Sequence, residues 1–359
     1  MTTLVVSTDD VQEIVRRRGV NEIMDQLIRD LGDALVGFDP SAHEVPVRAG
    51  FDYSIPHPGL VEWMPMHRRG HHVTLKMVGY HPSNPVLLGL PSVLSTILRY
   101  DVSNGHLQAL IDGTFLTVLR TGAASAIASR VLAPSNASTL GLIGCGAQAV
   151  SQLHALSRVL PLDTILIHDT DANSLQSFER RCAGLLPEGV RFETADIERT
   201  VTQCDVLCTA TSIGVGDGPL FSGLDYPKAL HVNAVGSDFP GKTELPRDLL
   251  DSAVVCPDFP EQAAREGECQ QLDARDVGPD LAELVQGGNS WSQLRTRRTV
   301  FDSTGFALED DVVAELFISL ARSEGVGTEI DIESHPRDPK DPYEGLRYPH
   351  PSIVGGNIS

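Results

Sequence analysis

The sequence predicts an α/β fold in which a doubly wound parallel sheet is combined with a second, α+β domain. Over the middle of the chain, strand-like apolar runs alternate with helical patterns, which is typical of right-handed βαβ units. Before them, several strand-like runs follow one another with little helix between, as in an antiparallel sheet. The length of 359 residues is sufficient for two domains, each with its own core.

The first third of the chain supplies the α+β part. The motif STDD offers an N-cap, and apolar residues at helical spacing then predict a helix over 7–35. A second long apolar pattern predicts a helix over 114–132. Between the helices, strand-like runs lie at 44–50, 59–66, 72–80, 95–101 and 106–113, the last two flanking the turn sequence VSNG.

The parallel sheet is predicted from strand-like runs at 138–144, 163–169, 191–195, 204–211, 229–235 and 252–257. The segment 300–325 adds a further strand and a long amphipathic helix, which we expect to return to the first domain. The predicted domains are therefore 136–305 for the parallel sheet, and 1–135 with 306–359 for the α+β part. The tail from His335, rich in Pro and Asp, is expected to be extended on the surface.

Composition restricts the partners and the compartment. A net charge of −20 argues against nucleic acid and anionic membranes, because both require basic patches. The N-terminus lacks the features of a signal peptide, and no apolar run approaches the roughly 18 residues of a membrane span. The six cysteines form no CxxC pair, so we expect reduced thiols and a cytoplasmic protein. The segment HRRGHH (His67, His71, His72) fits no zinc-ligand spacing, and we predict no metal site.

A glycine-rich turn predicts a dinucleotide site of the Rossmann type. In TLGLIGCGAQA, Gly144, Gly146 and Ala149 form a GxGxxA frame between a strand and a helix, where pyrophosphate binds at the helix N-terminus. The next strand ends at Asp169, an acid suited to the ribose hydroxyls and unfavourable to a 2′-phosphate. The pattern therefore favours NAD over NADP.

Charged residues interrupt apolar patterns of the first domain. Arg48, Glu62 and Lys76 lie within strand-like runs, and Arg120 lies within a helical one. Alternation along a strand allows the first three to point away from their apolar neighbours, either to solvent or into a site. Converging cations would bind a substrate carboxylate, and a carboxylate beside them would hold an ammonium group.

The turn GSDFPGKTELP places Asp238 directly after the strand-like run 229–235. Ligands of doubly wound sheets bind in the crevice at the carboxyl ends of the strands. Asp238 is therefore expected to lie at the ligand-binding crevice, rather than to be an incidental turn residue.

Several motifs make the chain similar to the ornithine cyclodeaminase/mu-crystallin family: LRTGAASAIASR, LIGCGAQAVSQLHALSRVLPL, HVNAVGSDFPGKTELP, REGECQQL and VFDSTGFALED. Three stretches, GAQAVSQLHALSRVLPL, TSIGVGDGP and EGECQQL, resemble the actinobacterial lysine cyclodeaminases of that family. The resemblance implies a homodimer formed through the α+β domain, which also binds substrate, and a held NAD.

The resemblance also implies roles for individual residues. Arg48, Lys76 and Arg120 would bind the substrate α-carboxylate, Glu62 would contact the α-amino group, and Asp238 would meet the distal amine. Asp238, Glu62 and Lys76 are the predicted catalytic residues, and Asp238 would be the base that acts on the substrate amine. The predicted cofactor contacts are Gly144, Gly146, Ala147, Gln148, Asp169, Thr170, Asp171, Thr209, Thr211, Ser212, Val235 and Ser303.

The implied activity is a redox-neutral cyclisation of L-lysine to L-pipecolate. NAD removes the Cα hydride, the ε-amine attacks the resulting iminium carbon, ammonia leaves, and the cyclic imine takes the hydride back. Ornithine, giving proline, is the near alternative, because one methylene is worth about 1–3 kcal/mol in a pocket and DFPG resembles the ornithine enzymes. A ketimine reductase or amino-acid dehydrogenase, or a crystallin-like binding protein, are further alternatives on the same fold.

Overall fold

The computed structural model of the chain describes residues 1–344 and 346, so the end of the predicted second segment at residue 359 lies outside the described residues. The strands are β1 Thr3–Val6, β2 His43–Glu44, β3 Ala49–Tyr53, β4 Gly59–Arg68, β5 His72–Tyr80, β6 Val93–Asp101, β7 Leu107–Asp112, β8 Thr139–Ile143, β9 Thr164–His168, β10 Arg191–Thr194, β11 Val206–Thr209, β12 His231–Ala234, β13 Val254–Pro257, β14 Thr299–Asp302 and β15 Thr328–Ile330. The α-helices are α1 Thr8–Arg18, α2 Val20–Val36, α3 Asn84–Leu87, α4 Thr114–Leu132, α5 Ala147–Ser157, α6 Ala172–Arg181, α7 Ile197–Thr202, α8 Arg247–Ser252, α9 Pro260–Glu266, α10 Leu281–Gly287 and α11 Ala307–Glu324.

The strands form two sheets. The first has the order β15-β1-β7-β6-β5-β4-β2, with β3 also paired to β4, and its pairs are antiparallel except β1 with β7. The second has the order β10-β9-β8-β11-β12-β14-β13, and its pairs are parallel. Its first five strands follow the 3-2-1-4-5 order of dinucleotide-binding sheets. The predicted α/β fold with a doubly wound parallel sheet is confirmed.

Two local predictions in the first third are wrong. The helix predicted over 7–35 is two helices, because Gly19 takes a φ of 85° and ends α1 before α2 begins. The strand predicted over 44–50 is not continuous: β2 ends at Glu44 and β3 begins at Ala49. Pro46, which has no N–H to donate to a ladder, lies in the gap. Arg48 therefore precedes a strand instead of lying within one.

Helix α4 lies between the two sheets and contacts α2, α5 and α11 as well as β12 and β14. By length and composition alone it could cross a membrane, but 78% of its apolar window is buried inside the protein, as for a core helix. Helix α11 returns to the first sheet and packs on β4 and β5, as the sequence predicts for segment 300–325. Arg48 and Arg120 of the first half lie against Thr304 and Gly305, which follow β14. The two halves therefore meet at the carboxyl edge of the parallel sheet, where ligands of doubly wound folds bind, and this region is called the cleft below.

A candidate active site at the carboxyl edge of the parallel sheet

The glycine turn after β8 is built as the motif predicts. Gly144 has a φ of 91°, and a side chain there would approach the carbonyl oxygen of Ala210 to 2.5 Å. At Gly146, by contrast, an added Cβ would meet no atom of the described residues within 4 Å. Within that part of the chain no side chain caps the N-terminus of α5. The turn thus presents open space and free backbone N–H groups, the requirements of a phosphate site.

Asp169 follows β9 and faces this turn. Its carboxylate accepts hydrogen bonds from the backbone N–H groups of Cys145, at 2.6 Å, and of Asp171, at 2.7 Å. Thr170 and Asp171 are exposed, and the Asp171 carboxylate caps α6 by accepting from Asn173 and Ser174. Asp169 is therefore held beside the phosphate turn, while Asp171 also has a structural task.

The remaining predicted cofactor residues tell whether a dinucleotide fits this cleft. Gln148 Nε2 and Ser303 Oγ are buried polar atoms that have no hydrogen-bond partner among the described residues. Such atoms are costly unless a ligand or water satisfies them. Gln148 and Ser303 follow β8 and β14. The other predicted residues here also lie at the carboxyl ends of parallel strands, Thr209, Thr211 and Ser212 at β11 and Val235 at β12. The donors and the open turn fit a dinucleotide.

Two of the predicted carboxylate-binding cations contact the same acid, Asp310. Lys76, on β5, donates from Nζ to Oδ1 of Asp310 at 2.8 Å. Arg120, on α4, donates from Nη1 to Oε2 of Glu309 at 2.7 Å, and its Nε lies 3.2 Å from the same Asp310 oxygen. Both cations are buried, with Lys76 only 1% exposed. The two acids come from the first turn of α11, so this helix anchors the pair.

Burial and neighbouring charge set the protonation of this cluster. Burial, reinforced by the Arg120 charge, lowers the pKa of Lys76 to about 8, and Asp310 opposes the change. Burial likewise raises the pKa of Glu309 to about 8, although Arg120 acts against it. Burial opposes the Arg120 charge too, but Asp310 and Glu309 outweigh it and raise the guanidinium pKa. Lys76 is thus the cation whose charge changes near neutral pH.

Arg48 joins two further predicted residues. Its guanidinium donates to the carbonyl oxygens of Asp238, at 2.5 Å, and Thr304, at 3.1 Å, and forms a close ion pair with Glu266. Its Nε also lies 3.5 Å from the Glu62 carboxylate. Burial raises the pKa of Glu62, although the Arg48 charge acts in the opposite direction. Arg48, Glu62 and the Asp238 backbone therefore form one contact group.

The Asp238 carboxylate has a partner that the sequence analysis did not identify. Lys242 donates from Nζ to Asp238 Oδ1 at 2.8 Å. Its ammonium group also lies 5.5 Å from the centroid of the Tyr80 ring. The Asp238 side chain is 42% exposed and that of Lys242 is 6% exposed. The predicted base is thus partly exposed, while a buried cation contacts one of its oxygens.

A series of buried carboxylates, also missed, holds the loops around Asp238. Glu244 accepts from the backbone N–H of Thr211 at 2.8 Å and of Gly236 at 2.9 Å, which ties the loop after β11 to the loop after β12. Glu268 accepts from the Glu244 N–H at 2.7 Å, and Asp302 accepts from the N–H groups of Glu268 and Cys269. These acids lie within or beside the motifs GKTELP, REGECQQL and VFDSTG, so the signal was present in the sequence.

The three histidines of HRRGHH do not form a site. His72, which is buried, forms hydrogen bonds with Asp311, at 2.8 Å from its Nε2, and with Arg99. No group of three or more His, Cys, Asp or Glu side chains among the described residues is placed to hold a metal ion. The six cysteines are free and buried, and burial raises the pKa of Cys145, in the phosphate turn, to about 12.

Comparisons with known proteins identify the family of the chain. The family model of the ornithine cyclodeaminase/mu-crystallin family matches residues 7–324. An L-lysine cyclodeaminase of Streptomyces rapamycinicus is 43% identical over 96% of this chain and 99% of its own length. A solved lysine cyclodeaminase, described with recognition of L-lysine, L-ornithine and L-2,4-diaminobutyric acid, is 48% identical with a TM-score of 0.92, covering 96% of this chain and 99% of that one. An archaeal alanine dehydrogenase dimer with bound NAD is 29% identical with a TM-score of 0.79, covering 93% and 100%. The chain therefore belongs to the ornithine cyclodeaminase/mu-crystallin family.

Proposed function

We propose that the protein is an NAD-dependent cyclodeaminase that converts L-lysine to L-pipecolate and releases ammonia. The observation that carries the proposal is the contact group of Arg48, Glu62 and Asp238, which occurs together with a buried cation pair and a glycine turn that fits a dinucleotide. A diamino acid has one carboxylate and two amines, and the cleft offers cations for the first and carboxylates for the others. The similarity to lysine cyclodeaminases over almost the whole chain supports this substrate class.

The cofactor would be held by the cofactor residues predicted from the sequence. Gly146 and the N-terminus of α5 would receive the pyrophosphate, and Asp169 would accept from the adenosine ribose. Gln148 and Ser303 would gain the partners that their buried polar atoms lack among the described residues. When bound, NAD supplies an acceptor for the Cα hydride and later returns it.

The cations would fix the substrate for this transfer. Lys76 and Arg120 both contact Oδ1 of Asp310, which brings their two positive charges close together. The α-carboxylate would bind beside this pair. Arg48 has most of its donors committed to Glu266, Thr304 and the Asp238 backbone, so its proposed contribution is to complete the clamp and to hold the base loop.

The carboxylates would move the protons. Asp238, exposed to the cleft, would accept from the distal amine, which must be neutral to attack Cα. Glu62, whose pKa is raised by burial, is suited to protonate the α-nitrogen as it leaves as ammonia. Holding the distal amine against Cα supplies the proximity that ring closure needs.

Ammonia release and absorbance at the NADH wavelength test the activity together. With lysine and catalytic NAD, ammonia should accumulate with no net NADH. Stoichiometric NADH would instead identify an amino-acid dehydrogenase, and binding without turnover a crystallin-like protein. Asp238→Asn should lose most turnover while it still binds NAD, and near-normal turnover would remove Asp238 from the reaction.

Ornithine is the second candidate substrate, giving proline by the same steps. The solved lysine cyclodeaminase recognises L-ornithine as well as L-lysine, which supports a pocket that accepts both lengths. The ratio of kcat/KM for the two amino acids decides the assignment. A ratio in favour of ornithine would make this the principal activity.

The proposed assembly is a homodimer formed through the first sheet. Strand β3 and the segments around it expose large apolar side chains, with Phe51 69%, Ile55 84%, Val86 88% and Leu88 65% exposed. Apolar surface of this extent on one part of a protein is typical of an interface. We further propose a cytoplasmic enzyme with two domains, 1–135 with 306–359 for substrate and dimer contacts and 136–305 for NAD.

A further inference from the structure

The Asp238–Lys242 ion pair places a buried positive charge directly beside the carboxylate that is proposed to contact the distal amine. One carboxylate oxygen of Asp238 accepts from Lys242 Nζ at 2.8 Å, and this ammonium is buried against the Tyr80 ring. The other oxygen has no described side-chain partner among residues 1–344 and 346, and the side chain is 42% exposed. The exposed oxygen therefore belongs to a carboxylate whose charge is already balanced by a cation.

The loop geometry fixes the Lys242 backbone in place. The Lys242 N–H donates to the carbonyl of Phe239 at 3.0 Å. Its own carbonyl accepts from the Ser237 hydroxyl at 2.6 Å and from Gln270 Nε2 at 3.0 Å. The loop closes on itself at this residue, so the ammonium is a fixed part of the site.

The other charged groups around the pair have partners of their own. Arg48 contacts the Asp238 carbonyl and is paired with Glu266. Burial disfavours the Lys242 ammonium, but Asp238, the Tyr80 hydroxyl and Glu244 together raise its pKa above the ordinary value, so it stays charged. The Glu244 carboxylate is used by backbone N–H groups. The remaining acid, Glu62, is the group proposed for the α-amine.

We propose that Lys242 is a positioning residue that keeps the Asp238 site charge-balanced, so that the distal amine of a diamino acid is bound as its neutral free base. The proposal rests on the proposed function and changes one step of it: Asp238 orients the neutral amine, and the proton that it would otherwise accept goes to solvent. A distal ammonium would bring a second positive charge beside the fixed one, whereas a neutral amine donates one N–H to the free Asp238 oxygen and keeps its lone pair. The proton leaves to solvent when substrate binds, and the C–N bond then forms from the lone pair.

Proton release on binding tests the proposal without turnover. Protein loaded with NADH, which cannot accept a hydride, is titrated with lysine by calorimetry in two buffers of different ionisation enthalpy. L-2-aminohexanoate, which lacks the distal amine, accounts for any proton lost from the α-amino group. At pH 7.5 the wild type should release about one proton more with lysine than with the analogue, Lys242→Gln close to none more, and Lys242→Arg should match the wild type. Equal values for Lys242→Gln and wild type, or no difference between the two ligands in the wild type, would overturn the proposal.

Steady-state kinetics give a second, independent reading. Lys242→Gln should lower both KM and kcat for lysine at neutral pH, kcat by about tenfold, because the unbalanced carboxylate then holds the unreactive ammonium form. S-(2-Aminoethyl)-L-cysteine, whose distal amine is less basic, should lose less kcat. A KM that rises, with the same loss for both substrates at every pH, would mean that Lys242 is merely structural. Absence of ammonia release by the wild type would refute the proposed function instead, while the calorimetric difference would still stand.

Discussion

Replacement of Asp310 by Asn should shift the pH range in which the substrate carboxylate binds. Asp310 Oδ1 accepts from Lys76 Nζ at 2.8 Å, and both side chains are 1% exposed. Asn keeps the shape of the side chain and removes its charge. Because Asp310 favours the charged form of Lys76, its loss should move the pKa of Lys76 further below about 8.

The size of the effect follows from the charged fraction of Lys76. A pKa lowered from the ordinary lysine value means that the charged clamp is present below about pH 8 and is lost as pH rises through it. Loss of a contacting charge shifts a pKa by roughly 1–3 units, here taken as about 2, so at pH 8 the charged fraction falls from about one half to about one hundredth. KM for lysine should then rise about 50-fold at pH 8 but only about twofold at pH 6.

The assay is the KM for lysine from ammonia release between pH 6 and 9. Removal of one partner of a buried ion pair costs about 3–5 kcal/mol, so folding must be checked by thermal melting with NAD present. Asp311→Asn is the matched control, because Asp311 is the next residue on α11 but contacts His72 and Thr74 instead of the clamp. It should change melting without a pH-dependent change in KM.

A ratio of KM values, variant to wild type, that is the same at pH 6 and pH 8 would refute the reasoning. If Asp310→Asn does not fold, the wild type still tests it with hexanoate, which has the carboxylate but neither amine, because its inhibition constant should rise above about pH 8 as Lys76 loses its charge. An inhibition constant for hexanoate that stays flat to pH 9 would mean that Lys76 does not bind the carboxylate through its charge.

Three further predictions concern the cofactor and the assembly. Gly144→Ala should abolish NAD binding in a fluorescence titration, because its Cβ would lie 2.5 Å from a backbone oxygen at a φ of 91°. Gly184→Ala is the control, since Gly184 has a φ of 80° with no described atom within 4 Å, and it should bind NAD normally. Equal binding by both variants would contradict this. Asp169→Ala should lower the preference for NAD over NADP by about tenfold in direct titrations, and an unchanged ratio would exclude a ribose contact. Phe51→Asp should convert the dimer to monomer in analytical ultracentrifugation with little change in melting temperature, since the side chain is 69% exposed, whereas a monomeric wild type would contradict the proposed assembly.

The parallel sheet was predictable because its pattern is repeated and local. Each strand is a short apolar run followed by a turn, and the glycine motif fixes which strand is first. The first third was harder to predict at its breaks. Gly19 ends α1 without interrupting the apolar period, and the segment around Pro46 alternates like a strand but cannot donate a full ladder. Short strands such as β1 and its neighbour β15, at the edge of the sheet, have too few residues to show alternation.

The candidate site was predictable where a charge interrupts an apolar pattern, and not where a charge sits in a polar one. Lys76 and Arg120 stand out among apolar neighbours. Lys242 lies in a polar turn, where a cation is ordinarily solvated, and only the fold shows that it is buried. Glu309 and Asp310 occur in the first turn of a helix, where acids are favoured by the helix dipole whether or not they are buried.

A physical rule connects the predicted residues to those that were missed. A buried charge must be paired, so each cation placed in an apolar strand or helix requires an acid from another element. The structure supplies these from α11 for Lys76 and Arg120, and from α9 for Arg48. At Asp238 the signs are exchanged, because the partly exposed group is a carboxylate and its buried partner is a cation. That inversion separates the two halves of the proposed site: the cations proposed to bind a carboxylate are paired with acids, and the acid proposed to bind an amine is paired with an ammonium group.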